Sequence, residues 1–166
     1  MKKPLIAFMW FLACACTPPP SQQPLDDFGP FTGATVSCGQ FQVFVLHQSG
    51  TGYLRVFVDD KVMPLGRENI FRVGEDGLSV EYRAFDLDIS SMLCNDVMPS
   101  VKPRELQRVP ATTGVVYITL SQEDLDLYLK GVTYRVNVVL NDVSIDGLAE
   151  PLSFRLEGMV VGWLPG

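Results

Sequence analysis

Residues 132–140, VTYRVNVVL, alternate apolar with polar side chains over most of their length, and this stretch decides the fold class. Successive side chains of a β-strand point to opposite faces, so a period of two is typical of a strand with one buried face. The same alternation recurs in residues 54–58, 78–84 and 152–160. The sequence therefore predicts a protein built mainly of half-buried strands.

Two further runs, 41–46 (FQVFVL) and 115–120 (VVYITL), are apolar on both faces, which is typical of central strands. Turn-forming sequences separate the runs at residues 49–52, 59–61, 74–77 and 146–147. Many short strands with close turns are typical of antiparallel sandwiches and small barrels. We therefore expect an all-β fold, an antiparallel β-sandwich or small barrel, with one short helix.

Residues 121–131 break the strand pattern and predict that helix. Ser121 is a favourable N-cap, Asp124 follows three residues later, and Lys130 and Gly131 are typical of a helix end. The side chains expected on one buried face are Leu125, Tyr128 and Leu129. The alternative is a strand edge in which Leu125, Leu127 and Leu129 alternate with Asp126 and Tyr128.

The composition indicates one folded domain. Of 166 residues, 47% are hydrophobic and 19% are charged, which is enough apolar chain for one core. Thirteen basic and 19 acidic side chains give a net charge of −6. A protein that binds the phosphate backbone of nucleic acid needs clustered Lys and Arg, and the sequence has no such cluster. We therefore expect no nucleic-acid partner.

The N-terminus has the pattern of a secretory signal. Two lysines at positions 2 and 3 precede ten apolar residues, 4–13 (PLIAFMWFLA), which are too few to cross a bilayer. A small residue and then a cysteine follow, as Ala13-Cys14 and as Ala15-Cys16. The segment resembles the signal peptide of bacterial lipoproteins, in which the lipobox cysteine is acylated and becomes the mature N-terminus. The alternative is an ordinary buried N-terminal helix.

Either Cys14 or Cys16 could carry the lipid, and the cysteine count favours Cys16. Cys14 would then leave with the signal, and the only thiols left in the exported domain would be Cys38 and Cys94. Because export leads to an oxidising compartment, we predict a Cys38–Cys94 disulfide that stabilises the fold by about 4 kcal/mol. The alternative is two separately buried free cysteines.

These interpretations divide the chain into a signal peptide, 1–15, a lipidated cysteine with a Pro-rich tether, 16–33, and a β-domain, 34–166. The tether can hold the domain up to roughly 50 Å from the lipid, at about 3.1 Å per residue. Alternatively, Phe28 and Phe31 dock onto the domain and shorten the tether.

The resemblance to lipoproteins also implies a place in the cell. Thr17, rather than Asp, after the lipid cysteine resembles lipoproteins that are released to the outer membrane. Cys38-Gly39 and the ending 162–166 (GWLPG) are similar to small bacterial envelope lipoproteins, a likeness that implies no activity. We expect a lipid-anchored protein of the bacterial cell envelope, attached to the outer membrane.

Residues for catalysis or metal binding are scarce. His47 is the single histidine and no cysteines lie at zinc-binding spacing, so a zinc site or a Ser-His-Asp triad lacks ligands. We expect His47 to face solvent at a strand end and predict no catalytic residue, metal or cofactor. The acidic residues near loops are Asp59, Asp60, Asp86, Asp88, Glu123, Asp124, Asp126, Asp142 and Asp146. They could form a calcium cage, but Asp also favours turns and keeps a surface soluble.

Three features could contribute a binding surface. Residues 95–113 contain three prolines and are expected to form the longest connection, where a functional loop would lie. Phe57 on the polar face of its strand and Trp163 near the C-terminus could form a platform for sugar or protein, although Trp163 could instead close the core. We expect a non-enzymatic interaction or structural module with an unknown protein or glycan partner. The alternatives are a calcium-dependent binding domain and a small hydrolase acting on glycans through paired carboxylates.

Overall fold

Eight strands and one helix are found in the residues that the computed structural model describes, which are 31–96 and 100–162, with residues 32 and 33 described by their backbone alone. The strands are β1 (Phe31–Cys38), β2 (Gln42–His47), β3 (Gly52–Val58), β4 (Glu68–Arg72), β5 (Leu78–Phe85), β6 (Glu105–Thr119), β7 (Tyr134–Ile145) and β8 (Leu152–Val161), and the helix is α1 (Gln122–Leu129). Cys14, Cys16, Phe28, Trp163 and most of the predicted tether lie outside the described residues. The described part of the chain contains no helix with the length and apolar content of a membrane-spanning segment.

The strands form one antiparallel sheet in the order β1-β2-β3-β5-β6-β7-β8, with β4 paired to β6. The two outer strands of this order approach each other, because Gly162 N–H donates to the Gly39 carbonyl at 2.7 Å and Ser37 Oγ donates to the Val160 carbonyl at 2.7 Å. The sheet therefore curls into a nearly closed barrel. The predicted all-β antiparallel fold with one short helix is confirmed, and its form is the barrel alternative.

Strand β6 is shared between two parts of the barrel. Residues 105–110 pair with β5, whereas residues 115–119 pair with β4. The change occurs near Gly114, which has φ +127°. A Cβ at this position would lie only 2.6 Å from Val143 Cα, so both the backbone conformation and the available space require glycine. The prediction of a connection over 95–113 is wrong in its second half. Pro110 is tolerated because it is the last residue paired with β5, where a missing N–H interrupts the ladder least.

The barrel core follows the predicted alternation. Leu54, Val56 and Val58 of β3 are fully buried. In β8 the pattern shifts phase: Leu152, Phe154 and Leu156 are buried, then a register irregularity and Gly158 at φ +63° bring Val161 inward. Val132 was expected in the strand but precedes β7 and is 45% exposed. Strand β4 was not predicted, because five residues carry too little alternation.

Helix α1 begins as predicted, since the Ser121 side chain accepts a hydrogen bond of 3.0 Å from Asp124 N–H. The strand alternative is therefore wrong. Leu125, Leu127 and Tyr128 pack against the barrel core. Leu129, predicted on the buried face, is 71% exposed, because it is the last helical residue and the chain turns away at Lys130.

A second apolar cluster lies on the outer face of the barrel and contains Cys38, Phe44, Tyr53 and Ile89. It is covered by residues 86–96, here called the strap, which contain no helix or strand. The predicted Cys38–Cys94 disulfide is confirmed, with the two Cα atoms 5.7 Å apart, and it joins the strap to the end of β1.

Strand β1 begins at Phe31, three residues before the predicted start of the domain. The Phe31 side chain is 3% exposed, and its ring lies 5.8 Å from His47 and 6.1 Å from Tyr82 between centroids. The last three residues of the predicted tether therefore belong to the barrel. This burial matches the alternative in which Phe31 docks onto the domain.

Candidate functional site

The strap leaves part of the outer face of β2, β3 and β5 uncovered. We call the barrel end where Phe31 pairs with His47 the proximal end, and the end where Gln42 pairs with both Cys38 and Phe57 the distal end. The two pairings lie five positions apart along β2, a distance of about 17 Å along the strand. The uncovered region extends from the middle of this face to the distal end.

Glu81 of β5 occupies the middle of the uncovered face and is only 7% exposed. Its Oε1 atom accepts hydrogen bonds from Arg55 Nη1 at 3.0 Å and from Arg83 Nε at 2.9 Å, and Arg83 Nη2 also contacts it. Arg55 Nε donates to Gln42 Oε1 at 3.1 Å. The two guanidinium groups are therefore held by acceptors on the same face.

The pKa of Glu81 reflects two opposing effects. Burial alone would raise the pKa of the carboxyl, but the hydrogen bonds from Arg83 and Arg55 and their positive charges outweigh burial and hold the pKa below its usual value. Glu81 is therefore ionised at neutral pH. A carboxylate committed to two guanidinium groups serves as a structural acceptor and not as a proton donor.

The network continues to β6 through Glu105. Its Oε2 atom accepts from Arg83 Nη1 at 3.3 Å and from Arg108 Nη2 at 3.0 Å, and Oε1 accepts from Arg108 Nε at 2.9 Å. The Arg108 hydrogen bond lowers the pKa of Glu105. Both carboxylates of this network therefore serve arginines, whereas a glycosidase would need one protonated acid facing a second carboxylate across a cleft.

A groove of about 470 Å³ opens beside this network at the distal end. Its walls include Phe57, Val62, Leu78, Ser79, Asp59 and Asp76. Phe57 and Ser79 are paired neighbours of β3 and β5, so the floor is part of the sheet. The Arg55 guanidinium carbon lies 4.7 Å from the centroid of the Phe57 ring, a cation–π distance. Phe57 was predicted to point outward from its strand, and it does so here.

Two turns form the outer rim of the groove. Asp59 N–H donates to the Gly77 carbonyl at 2.7 Å, which joins the turn after β3 to the turn before β5. The Asp59 carbonyl accepts from Val62 N–H at 3.0 Å and from Met63 N–H at 2.9 Å. Gly77 has φ +89°, and a Cβ there would lie 2.7 Å from Met63 Cγ, so a larger residue would push the two turns apart. The rim is thus held by backbone contacts.

The acidic residues considered for a calcium cage are dispersed over several turns. Asp59 Oδ1 accepts from Lys61 N–H at 3.1 Å, Asp88 Oδ1 from Ser90 N–H at 2.8 Å, and Asp86 Oδ1 from Arg104 N–H at 2.8 Å. Asp124 Oδ1 accepts from Arg135 N–H at 2.8 Å. Within residues 31–96 and 100–162, no three His, Cys, Asp or Glu side chains are grouped so that they could hold a metal ion.

His47 differs from the expectation of a solvent-facing side chain. It is half-buried, with its ring against Phe31 and 5.9 Å from the Tyr82 centroid. Its Nδ1 atom accepts from Ser49 N–H at 3.1 Å and lies 2.8 Å from Ser49 Oγ. His47 therefore packs on the proximal end and stabilises the turn between β2 and β3. His47 does lie at the strand end and stays partly exposed, but its ring was not expected to be covered, because Phe31 was assigned to the tether.

A second polar group lies at the distal end, next to α1, and the sequence singled out only its Asp60, as an acidic residue near a loop. The hydroxyl of Tyr134 donates to the Gln40 carbonyl at 3.2 Å, and burial raises the pKa of this phenol. Asp60 Oδ1 is buried and has no hydrogen-bond partner among the described residues. This end of the barrel therefore combines apolar packing with acidic charge.

Sequence patterns identified part of the groove. Phe57 and Asp59 were noted from the alternation of β3 and the turn after it, but Asp76 was seen only as a turn residue. Ser79 and Glu81 appeared as the polar face of β5, and no local signal showed that β5 lies beside β3.

Comparison of the chain with protein-family models, with curated proteins and with solved structures finds no match.

Proposed function

We propose that the protein is a lipid-anchored component of the bacterial cell envelope and that its barrel is a non-enzymatic module for interaction with a partner. The observation that carries the proposal is the use of the four cysteines. The disulfide takes Cys38 and Cys94, which leaves only Cys14 and Cys16, the two candidates for lipid attachment. A disulfide across a small domain is typical of exported proteins.

The orientation of the barrel supports a role in presenting the groove to a partner. The chain enters β1 at the proximal end, and the groove opens at the distal end. A lipid on Cys16 would hold the proximal end toward the membrane through the Pro-rich segment. The groove would then face away from the membrane, where a partner can reach it. Thr17 after Cys16 supports the outer membrane as the site of anchoring.

The non-enzymatic part of the proposal is supported by how the titratable groups are used. Glu81 and Glu105 hold arginines, and His47 packs under Phe31. The other loop carboxylates mostly accept hydrogen bonds from nearby backbone N–H groups. These contacts stabilise the fold, and we take the open groove as the recognition surface.

Membrane fractionation of the full chain, expressed in a bacterial host, tests the anchoring. Each buried methylene of an acyl chain contributes about 0.8 kcal/mol, so an acylated cysteine with more than one chain should hold the protein in the membrane fraction. We expect the Cys14→Ser/Cys16→Ser double variant and the Cys16→Ser variant to leave that fraction and the Cys14→Ser variant to stay in it.

The matched control is the Cys38→Ser/Cys94→Ser variant, which loses two cysteines but should remain in the membrane fraction with the mass of its acyl chains. If the Cys14→Ser/Cys16→Ser variant still partitions with membranes, lipid anchoring is wrong. Release by Cys14→Ser alone would instead move the lipid site to Cys14.

A further inference from the structure

We infer that the distal groove binds an extended segment of a partner protein through an arginine or lysine side chain. The inference rests on the proposed function insofar as it takes the groove as the recognition surface, and it does not depend on how the protein is anchored. Three observations support it: the apolar floor, the two rim carboxylates that form no ion pair among the described residues, and the open shape of the groove.

The floor suits the aliphatic part and the head of a long basic side chain. Val62 is 57% exposed and lies beside the Phe57 ring in the groove lining, so the groove offers apolar surface to an occupant. Phe57 already receives the Arg55 guanidinium of its own chain at 4.7 Å, which shows that this ring can be approached by such a group. The methylene stem of Arg or Lys packs on apolar walls of this kind while its charged head stays at the surface.

The rim supplies the opposite charge. Asp59 and Asp76 both line the groove, and neither forms an ion pair with the residues that the structure describes. Arg55, whose guanidinium lies over Phe57, is held by Glu81 and Gln42. The rim therefore presents two carboxylates outside any ion pair among the described residues, with Lys61 as the cation on the same turn, on a chain whose net charge is −6. This charge attracts a cationic partner.

The shape and chemistry favour a protein segment over a glycan. The groove is open along the surface between two turns, so a chain can lie across it with one side chain on Phe57. A neutral sugar could stack on the ring, but it would leave both carboxylates without a counter-charge. A guanidinium or ammonium group satisfies the ring and the carboxylates together.

The test uses the purified full chain in neutral detergent and a fluorescein-labelled heptapeptide of sequence Gly-Ser-Leu-Arg-Leu-Ser-Gly. Binding is followed by fluorescence anisotropy, with a second peptide in which citrulline replaces arginine and keeps its shape without its charge. We expect the citrulline peptide to bind at least tenfold more weakly. The affinity of the arginine peptide should also fall when NaCl is raised from 50 to 500 mM.

Substitutions locate the binding. Asp59→Asn/Asp76→Asn should weaken the arginine peptide at least fivefold, and Phe57→Leu should weaken it at least threefold. The matched control is Asp146→Asn/Glu150→Gln, which removes two carboxylates from the β7–β8 turn and should leave affinity unchanged. Circular dichroism melting shows whether each variant is folded, and the asparagine at position 59 keeps the oxygen that accepts from Lys61 N–H.

The inference is overturned if both peptides bind equally or if the arginine peptide does not bind. An effect of the control variant equal to that of the groove variant would also overturn it, because binding would then follow net charge only. Binding of a neutral oligosaccharide that is lost with Phe57→Leu, without binding of the arginine peptide, would identify a glycan site instead. Because no membrane is present, these results are separate from the fractionation that tests anchoring.

Discussion

The barrel core and the outer cluster under the strap are both apolar, yet they are held together differently. The barrel core lies between strands that are hydrogen-bonded neighbours, and it is filled by alternating side chains such as Leu54, Val138 and Phe154. The outer cluster lies between the sheet and the strap, which has no ladder of its own. Backbone ladders therefore support the barrel core along its whole length, whereas the outer cluster depends on a few contacts between the strap and the sheet.

The attachments of the strap are identifiable. The disulfide holds one end of it, and Ile89 N–H donates to the Gly50 carbonyl at 3.0 Å near the other. Between them, aromatic rings fill the space, with Phe44 and Tyr53 perpendicular at 5.1 Å between centroids. Burial raises the pKa of the Tyr53 hydroxyl. The strap therefore buries one half of the outer face of the sheet.

The largest effect should come from breaking the barrel core. Phe154→Ala removes a fully buried side chain, and we expect a loss of about 3–5 kcal/mol in the free energy of unfolding, measured in urea. Phe154→Leu should cost less, so it remains folded if the alanine variant does not. A loss below about 1 kcal/mol for the alanine variant would mean that the core is loosely packed there.

The next effect should come from releasing the strap. The disulfide spans a sequence separation of 56 residues, so Cys38→Ser/Cys94→Ser should cost up to about 4 kcal/mol in the chain-entropy model. Because the barrel ladder does not need the strap, hydrogen exchange of the folded variant should be faster at Ile89 N–H while the amides of β7 stay protected. Both measurements use the double variant and the oxidised protein side by side.

Ile89→Ala sharpens that result. In the oxidised protein it should cost about 2 kcal/mol, because Ile89 is 3% exposed, and in the double cysteine variant it should cost much less if the strap is already released. Equal costs in the two backgrounds would show that the strap stays packed without its disulfide. The two cores would then be less different than we describe.

The smallest effect concerns the uncovered part of the same face. Glu81→Gln should lower the free energy of unfolding by about 1–2 kcal/mol at pH 7, because it weakens hydrogen bonds to two arginines that are 18–20% exposed. The folded pKa of Glu81 lies below the unfolded value of about 4.3, so its contribution is complete above that pH and is lost as pH falls through the folded pKa. The difference between the wild type and Glu81→Gln should therefore shrink below about pH 4.

Glu157→Gln is the control for this experiment, because Glu157 pairs with Arg155 at 3.6 Å and its side chain is 71% exposed. It should change stability by a few tenths of a kcal/mol at most. A difference between the wild type and Glu81→Gln that stays constant from pH 7 to pH 3 would contradict the lowered pKa.

Much of the fold could be predicted from the sequence because it is encoded locally. The alternation in β3, β7 and most of β8 and the cap at Ser121 act within a few residues. The errors lie where a distant contact overrides local pattern. Phe31 was assigned to a tether because its neighbours are prolines, and residues 105–113 were assigned to a connection, although pairing with β5 and β7 makes them a strand.

The candidate site could be predicted only in part. An outward aromatic followed by an acidic turn is visible in β3, but the opposite wall comes from the turn before β5. The chain passes through β4 between these two walls, and β4 pairs elsewhere, with β6. Local periodicity does not contain that strand order.

By itself the sequence determined most of the strands, the helix cap, the parity of the cysteines and the acidic charge, because each depends on near neighbours or on composition. Only the tertiary structure decided that β5 lies beside β3, that the strap covers one half of their outer face, and that a groove with an unpaired acidic rim remains on the other half. The physical reason is that strand order and surface coverage depend on contacts between distant residues. Such contacts are selected by the packing of the whole barrel and not by any one segment.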